Sequence, residues 1–160
     1  MDVTFLYAPQ RLVKTISLLA NGEIRKSAYP HAKNFTSETV AVTDLLVFYK
    51  QLTTRATDTR KPCLLKGQLN RPLRDESRRN STSTNDKAQF LVLDPDEAPF
   101  SSPDELMRAI GLGDISYIVQ WSASYGIENH NLRAHVFMLL DKPYAAPLLK
   151  QWLIQLNHTN

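Results

Sequence analysis

The chain has one cysteine, four histidines and no long apolar run, and each scarcity argues against a class of function. Cys63 alone cannot form an internal disulfide, and its place between Pro62 and Leu64-Leu65 marks a small buried hydrophobe rather than a reactive thiol. His31, His130, His135 and His158 show no pair at helical or turn spacing, which argues against a zinc enzyme. No uncharged stretch approaches the roughly 20 residues that span a bilayer, and the N-terminus lacks the basic-then-apolar layout of a secretory signal. The expectation is a cytoplasmic chain with no membrane partner. A net charge of +3 is too small to select a partner, so its distribution matters more than its sum. With 42% hydrophobic residues and no repeat or linker, the 160 residues are expected to form one domain.

What is present reads as strands interspersed with a few helices. Val3 to Tyr7 is a first strand. Asn21-Gly22 separates two further runs and predicts a tight hairpin turn with positive φ at both residues, while residues 30–41 read as loop. Thr43 or Asp44 is placed to cap a helix ending near Thr54, its apolar members being Leu45, Leu46, Phe48, Tyr49 and Leu52. Between Arg55 and Arg79 eight cations face three acids, in a mostly irregular stretch whose tail, Asn80 to Asp86, reads as a mobile polar loop. Cations on such ground suit phosphate contact, and equally a solvated surface. Ser102-Pro103-Asp104-Glu105 starts a short helix that Gly111 stops. Ile115 to Trp121 and Arg133 to Leu140 are strands, the second ended by Asp141-Lys142-Pro143. Leu148, Leu149, Trp152, Leu153 and Leu156 form the inner face of a last helix. Phe90, Phe137 and Trp152 are expected in the core. The fold class is α+β, with a mainly antiparallel sheet and packed helices.

The stretch Gln89 to Glu97 carries the chemistry. Its apolar run reads as a buried strand and ends in Asp94-Pro95-Asp96. In an extended chain residues two apart share a face, which holds the two carboxylates about 6.5 Å apart at Cα. Acids so placed repel each other and call for a cation, a basic neighbour or open water. By itself Asp-Pro-Asp also reads as a turn. Alternation along the later strand sets Arg133, His135 and Phe137 on one face and Ala134, Val136 and Met138 on the other.

Taken in order, Leu91-Val92-Leu93-Asp94-Pro95-Asp96, then Ser122-Ala123-Ser124, then Arg133-Ala134-His135 followed by Val136 to Leu140, resemble the archaeo-eukaryotic primase superfamily. Its primase-polymerases are often found in plasmids, prophages and other mobile elements. Leu64-Leu65-Lys66-Gly67 and Glu76-Ser77-Arg78 add to a likeness over roughly residues 60 to 157. The resemblance implies a catalytic half of the RNA-recognition-motif kind and DNA-templated nucleotidyl transfer. It also implies Mg²⁺ or Mn²⁺ on Asp94 and Asp96, and His135 on the nucleoside triphosphate. Ser122, Ser124, Arg133 and Lys66 would add nucleotide contacts, and Arg71, Arg74, Arg78 and Arg79 would contact template DNA. The resemblance leaves open whether a helicase partner or fused domain accompanies it.

The family carries a further metal-binding aspartate on a later strand. Asp141, the one acid left after His135, lies about 20 Å along an extended strand from it and suits a strand end better. The chain is therefore expected to be the N-terminal part of a longer protein, which as a fragment catalyses poorly even if its parent is an active enzyme. The main rival is a non-catalytic nucleic-acid-binding or replication-initiation module. A phosphatase built on Asp-x-Asp is disfavoured by Ala98, which stands where that chemistry wants a hydroxyl.

Overall fold

The computed structural model describes residues 1–82, 87–127 and 131–159. Among the described residues the fold is α+β, with three antiparallel sheets and three α-helices, and the chain divides into two compact units, residues 1–84 and 85–160.

In the first unit, strand β1 (Asp2–Tyr7) lies between β4 (Thr36–Ala41) and β5 (Cys63–Leu65), antiparallel to both. Consecutive residues Val3 to Tyr7 are all buried, as a central strand requires when both its faces are covered. Residues 30–41 are therefore not all loop. β4 is an exposed edge strand with little apolar content, so hydrophobic patterning gives it no signal. Helix α1 (Leu45–Thr57) starts where Asp44 accepts a hydrogen bond from the Val47 amide at 2.9 Å, and it runs three residues past the expected Thr54. Of its apolar members only Phe48 is buried. Cys63 packs beside Leu6, Leu65 and Leu73, and burial pushes its thiol up.

Strands β2 (Thr15–Leu18) and β3 (Ile24–Ser27) form a separate two-stranded ribbon. Only Gly22 has positive φ in the turn, at 84°, and its amide donates to the Leu19 carbonyl at 2.9 Å. Asn21 instead accepts from the Glu23 amide at 3.1 Å, so the connection is a longer turn closed by one glycine, not a two-residue turn.

The basic segment is more ordered than its composition implies. Phe35 and Glu76 exchange backbone hydrogen bonds at 2.9 and 3.2 Å, and Leu73 is fully buried. Arg78–Asn80 make a 3₁₀ turn, after which Ser81 is buried and its carbonyl accepts from Asn70 at 2.8 Å. The mobile-loop reading thus fails for Asn80 to Thr82, and its remaining residues, 83–86, lie outside the described ones.

The second unit is built on one long strand, β9 (Leu132–Ala145). β6 (Lys87–Leu93) and the short β7 (Asp96–Ala98) pair with it in succession. β8 (Ile118–Trp121) takes the other edge, because Val136 and Phe137 pair with both β6 and β8. Residues 115–117, expected in that strand, lie outside it. Helices α2 (Pro103–Ala109) and α3 (Ala146–Thr159) cover one face, where Leu91, Leu93, Met107, Ala134, Val136 and Met138 form the core. Ser102 caps α2 by accepting from the Glu105 amide at 3.2 Å, and Gly111 follows it at φ 76°. On α3, Trp152 and Leu153 pack inward as expected, whereas Leu148 is 52% exposed.

Asp141-Lys142-Pro143 does not end β9. The register jumps from Phe90↔Leu139 to Ala88↔Tyr144, so residues 140–143 bulge opposite Gln89. Proline, which has no amide to donate, is tolerated in such a bulge.

In the first unit the Tyr7 hydroxyl donates to one Glu38 oxygen at 2.6 Å, and Arg55 donates to the other at 2.8 Å. The Tyr7 bond, ahead of the Arg55 charge, holds Glu38 below its ordinary 4.5 despite some desolvation. A lowered carboxylate contributes stability that is complete above its unfolded value and is lost as pH falls through the folded one. Melting temperature measured against pH should therefore fall less steeply below 4.5 in Glu38→Gln than in the wild type. Parallel acid limbs would show that Glu38 contributes nothing.

Candidate functional site

Pro95 breaks the ladder between β6 and β7, and the chain resumes along the same edge of β9. Asp94 and Asp96 thus flank a break in one continuous edge rather than a strand end. Leu93 pairs with Val136, so Asp94 stands across from His135, and Asp96 is registered with Arg133. All four share the sheet face opposite the helices, since directly opposed residues point the same way. On the other edge Gln120 pairs with His135 and brings β8 to the same place.

The contacts follow this register. His135 Nε2 lies 3.3 Å from Asp94 Oδ1. Arg133 donates from one terminal nitrogen to Asp96 Oδ1 at 3.1 Å and to Ser124 Oγ at 3.4 Å. Ser122 and Ser124 hydroxyls are 3.1 Å apart, and the Ser122 amide donates to the Arg133 carbonyl at 2.9 Å. The turn after β8 is closed by the Tyr125 amide on the Ser122 carbonyl at 3.0 Å. Six side chains from three sequence segments therefore meet: Asp94, Asp96, Ser122, Ser124, Arg133 and His135.

Exposure grades across the group. The Arg133 side chain is 6% accessible and His135 37%, while Asp94 and Asp96 reach 58% and 75%. A buried guanidinium and a half-buried imidazole thus sit beneath two open carboxylates. Arg133 engages one oxygen of Asp96 and His135 lies against one oxygen of Asp94, and among the described residues nothing engages the second oxygen of either. Two open oxygens fit a water-rich Mg²⁺ or Mn²⁺ site, which takes one or two carboxylates and fills its remaining positions with water and substrate phosphates. Among the described residues no group of three or more His, Cys, Asp or Glu is arranged to hold a metal ion without such help. A triphosphate alone would be repelled by the acids, so anion and cation would have to bind together.

The other expected site residues belong to the first unit. Lys66 is exposed just past β5. Arg71 spends its guanidinium on Glu76, at 2.6 and 2.5 Å, which weakens its case as a phosphate contact. Arg74 is exposed. Arg78 and Arg79 line an open cleft of about 520 Å³ with Lys33, a residue that sequence reading passed over as loop. Asp141 stays away from the cluster and hydrogen-bonds Tyr144, raising that phenol. Two further residues were missed. Gln120 is visible only once β8 and β9 are paired, and Trp121 stacks on Tyr125 at 4.3 Å between centroids, a contact that two isolated aromatics do not announce.

Burial decides which half of the Arg133–Asp96 pair matters for stability. Asp96 stays hydrated when Arg133 is removed, whereas Arg133 loses packing and its bonds together. In urea titrations Arg133→Ala should cost about 2 kcal/mol, in the range for buried hydrogen bonds to a charged group. Asp96→Asn should cost about 0–1 kcal/mol. The reverse order would mean that the ion pair, not the core, holds the site together. No family model, curated protein or solved structure compared with the chain matches it.

Proposed function

We propose that the second unit is the metal- and nucleotide-binding part of a primase-polymerase of the archaeo-eukaryotic kind, acting on nucleoside triphosphates and a DNA template in the replication of a mobile element. The observation that carries this reading is the convergence of Asp94, Asp96, Ser122, Ser124, Arg133 and His135 on one open face of β9. Further support comes from connectivity. With β6 and β7 taken as one strand broken at Pro95, the unit runs strand, helix, strand, strand, helix, with β9 between β6 and β8, and this is the order in which an RNA-recognition-motif sheet sets its third strand between its first and second.

In this chemistry a primer 3′-hydroxyl attacks the α-phosphorus of the incoming nucleotide, a new P–O bond forms, and pyrophosphate leaves with the broken one. A bound Mg²⁺ or Mn²⁺ would polarise the phosphate oxygens and favour the hydroxyl as alkoxide. The chain's own contribution is placement. Asp94 and Asp96 supply negative oxygens at the open rim. His135 stands beside Asp94, where its imidazole would meet a phosphate oxygen once Asp94 turns toward a metal ion. Arg133 fixes Asp96 and Ser124 from below, and the Ser122–Ser124 hydroxyls offer neutral donors on the β8 side.

A non-catalytic nucleic-acid-binding module is the second reading, favoured by one feature: each carboxylate already has a nitrogen neighbour within the protein, Arg133 for Asp96 and His135 for Asp94. Fluorescent nucleoside triphosphate binding to the 160-residue chain separates the two. The expected result is binding that requires Mn²⁺, is abolished by Asp94→Asn/Asp96→Asn, and is weakened about tenfold by His135→Ala, a loss typical of one charge-assisted contact. Metal-independent binding, or equal binding by the double variant, would overturn the proposal.

A further inference from the structure

The β2–β3 ribbon joins neither of the other sheets, and residues 17–31 are exposed without interruption. A lone two-stranded ribbon gains little stability from itself, so its regular pairing from Thr15↔Ser27 to Leu18↔Ile24 calls for a use outside the core. Register sorts its faces. Thr15, Ser17, Arg25 and Ser27 share one, which is three hydroxyls and a guanidinium, while Ile16, Leu18, Ile24 and Lys26 share the other. Charge is one-sided as well. From residue 11 to residue 33 there are five cations, Arg11, Lys14, Arg25, Lys26 and Lys33, against the single acid Glu23.

We propose that this ribbon is a nucleic-acid arm that lies in the major groove of a duplex, with the Thr15–Ser17–Arg25–Ser27 face toward the base edges and Arg11, Lys14 and Lys33 near flanking phosphates. Dimensions select the groove. Two paired strands are about 4.8 Å apart before side chains are added, which fits the major groove of about 12 Å and not a minor groove of about 6 Å. Chemistry selects the face. Arginine reads guanine through two acceptors, and serine and threonine hydroxyls serve any base, whereas the Leu18 face has nothing to offer a base edge except methyl contact. A polyanion is the partner that five cations against one acid would attract.

The rival occupant is an anionic membrane surface, since Leu18, 76% exposed, and Ile24 sit at the tip among cations. A membrane would take the Leu18 face and leave the three hydroxyls idle. The two occupants therefore need opposite faces, and substitutions distinguish them.

The arm is independent of the metal site, so its test is run in EDTA without nucleotide. Fluorescence anisotropy of a labelled DNA duplex is measured with the full chain over a series of salt concentrations, beside the single strand of the same sequence. Sedimentation with vesicles of phosphatidylserine and phosphatidylcholine runs in parallel. The wild type should bind duplex more tightly than single strand, with affinity falling linearly on a log–log plot against salt. Arg25→Ala should weaken duplex binding about tenfold, and Lys14→Ala should lower the salt slope by about 1. Leu18→Ser should leave duplex binding unchanged. All three positions are exposed, and unchanged melting curves confirm folding. Equal duplex affinity for wild type and Arg25→Ala would overturn the proposal, as would equal affinity for both nucleic-acid forms. So would vesicle binding that Leu18→Ser abolishes in a chain that binds no duplex.

Discussion

The second unit depends on the register of β9. Val136 and Phe137 are paired on both edges, so a slip of one residue would have to break two ladders at once. It would also turn Ala134, Val136 and Met138 out of the core and Arg133 and His135 into it. Each buried aliphatic or methionine side chain contributes roughly 1.5–3 kcal/mol, whereas a partly exposed ion pair contributes about 0–1 kcal/mol. The Asp94–His135 and Asp96–Arg133 contacts are therefore consequences of the packing on the other face. The cluster is positioned largely by apolar residues on the opposite face of the sheet.

Both prolines of this sheet stand where its ladder is interrupted. Pro95 separates β6 from β7, and Pro143 sits in the stretch of β9 that bulges opposite Gln89. Neither could donate within a ladder, so each belongs at a break. Their effects differ. The break at Pro95 lies inside the candidate site's face, giving Asp94 and Asp96 separate cross-strand partners and leaving both carboxylates open to solvent. The bulge at Pro143 lies at the far end of β9 and lets the strand continue toward α3 past a residue that would otherwise end it.

Local signals were legible in the sequence where one residue type settles the matter. Asp44 and Ser102 as caps, Gly111 after α2, the Leu91–Leu93 run and the alternation that groups Arg133 with His135 all follow from short-range physics. What local pattern could not give was partnership. β4 has almost no apolar content because it is an exposed edge, and its strand state comes from hydrogen bonds to β1 far away in sequence. Ser81 lies in a tract as polar as any disordered loop, yet it is buried because Leu69 and Asn70 pair with its neighbourhood. The candidate site was half legible for the same reason. The acids and the Arg-x-His face stand out singly, but Gln120 and the opposition of Asp94 to His135 exist only through strand order.

Charge is segregated between the two units. Residues 1–84 hold 14 Lys and Arg against 7 Asp and Glu, while residues 85–160 hold 5 against 9, so the modest net +3 hides two opposite surfaces. An acidic unit repels a phosphodiester backbone, so under the proposed function its affinity for a nucleotide would come through a cation that its carboxylates hold. A basic unit would bind the backbone directly, with the salt dependence that counterion release imposes. The two proposed interactions would thus respond to different variables, divalent metal for one and ionic strength for the other. On this division of labour the site residues and the cations need not be read as one cluster. Arg78, Arg79 and Lys33 at the cleft, and the cations of the β2–β3 ribbon, suit a polymer. The open acids on β9, backed by Arg133 and His135, suit a metal-bound triphosphate.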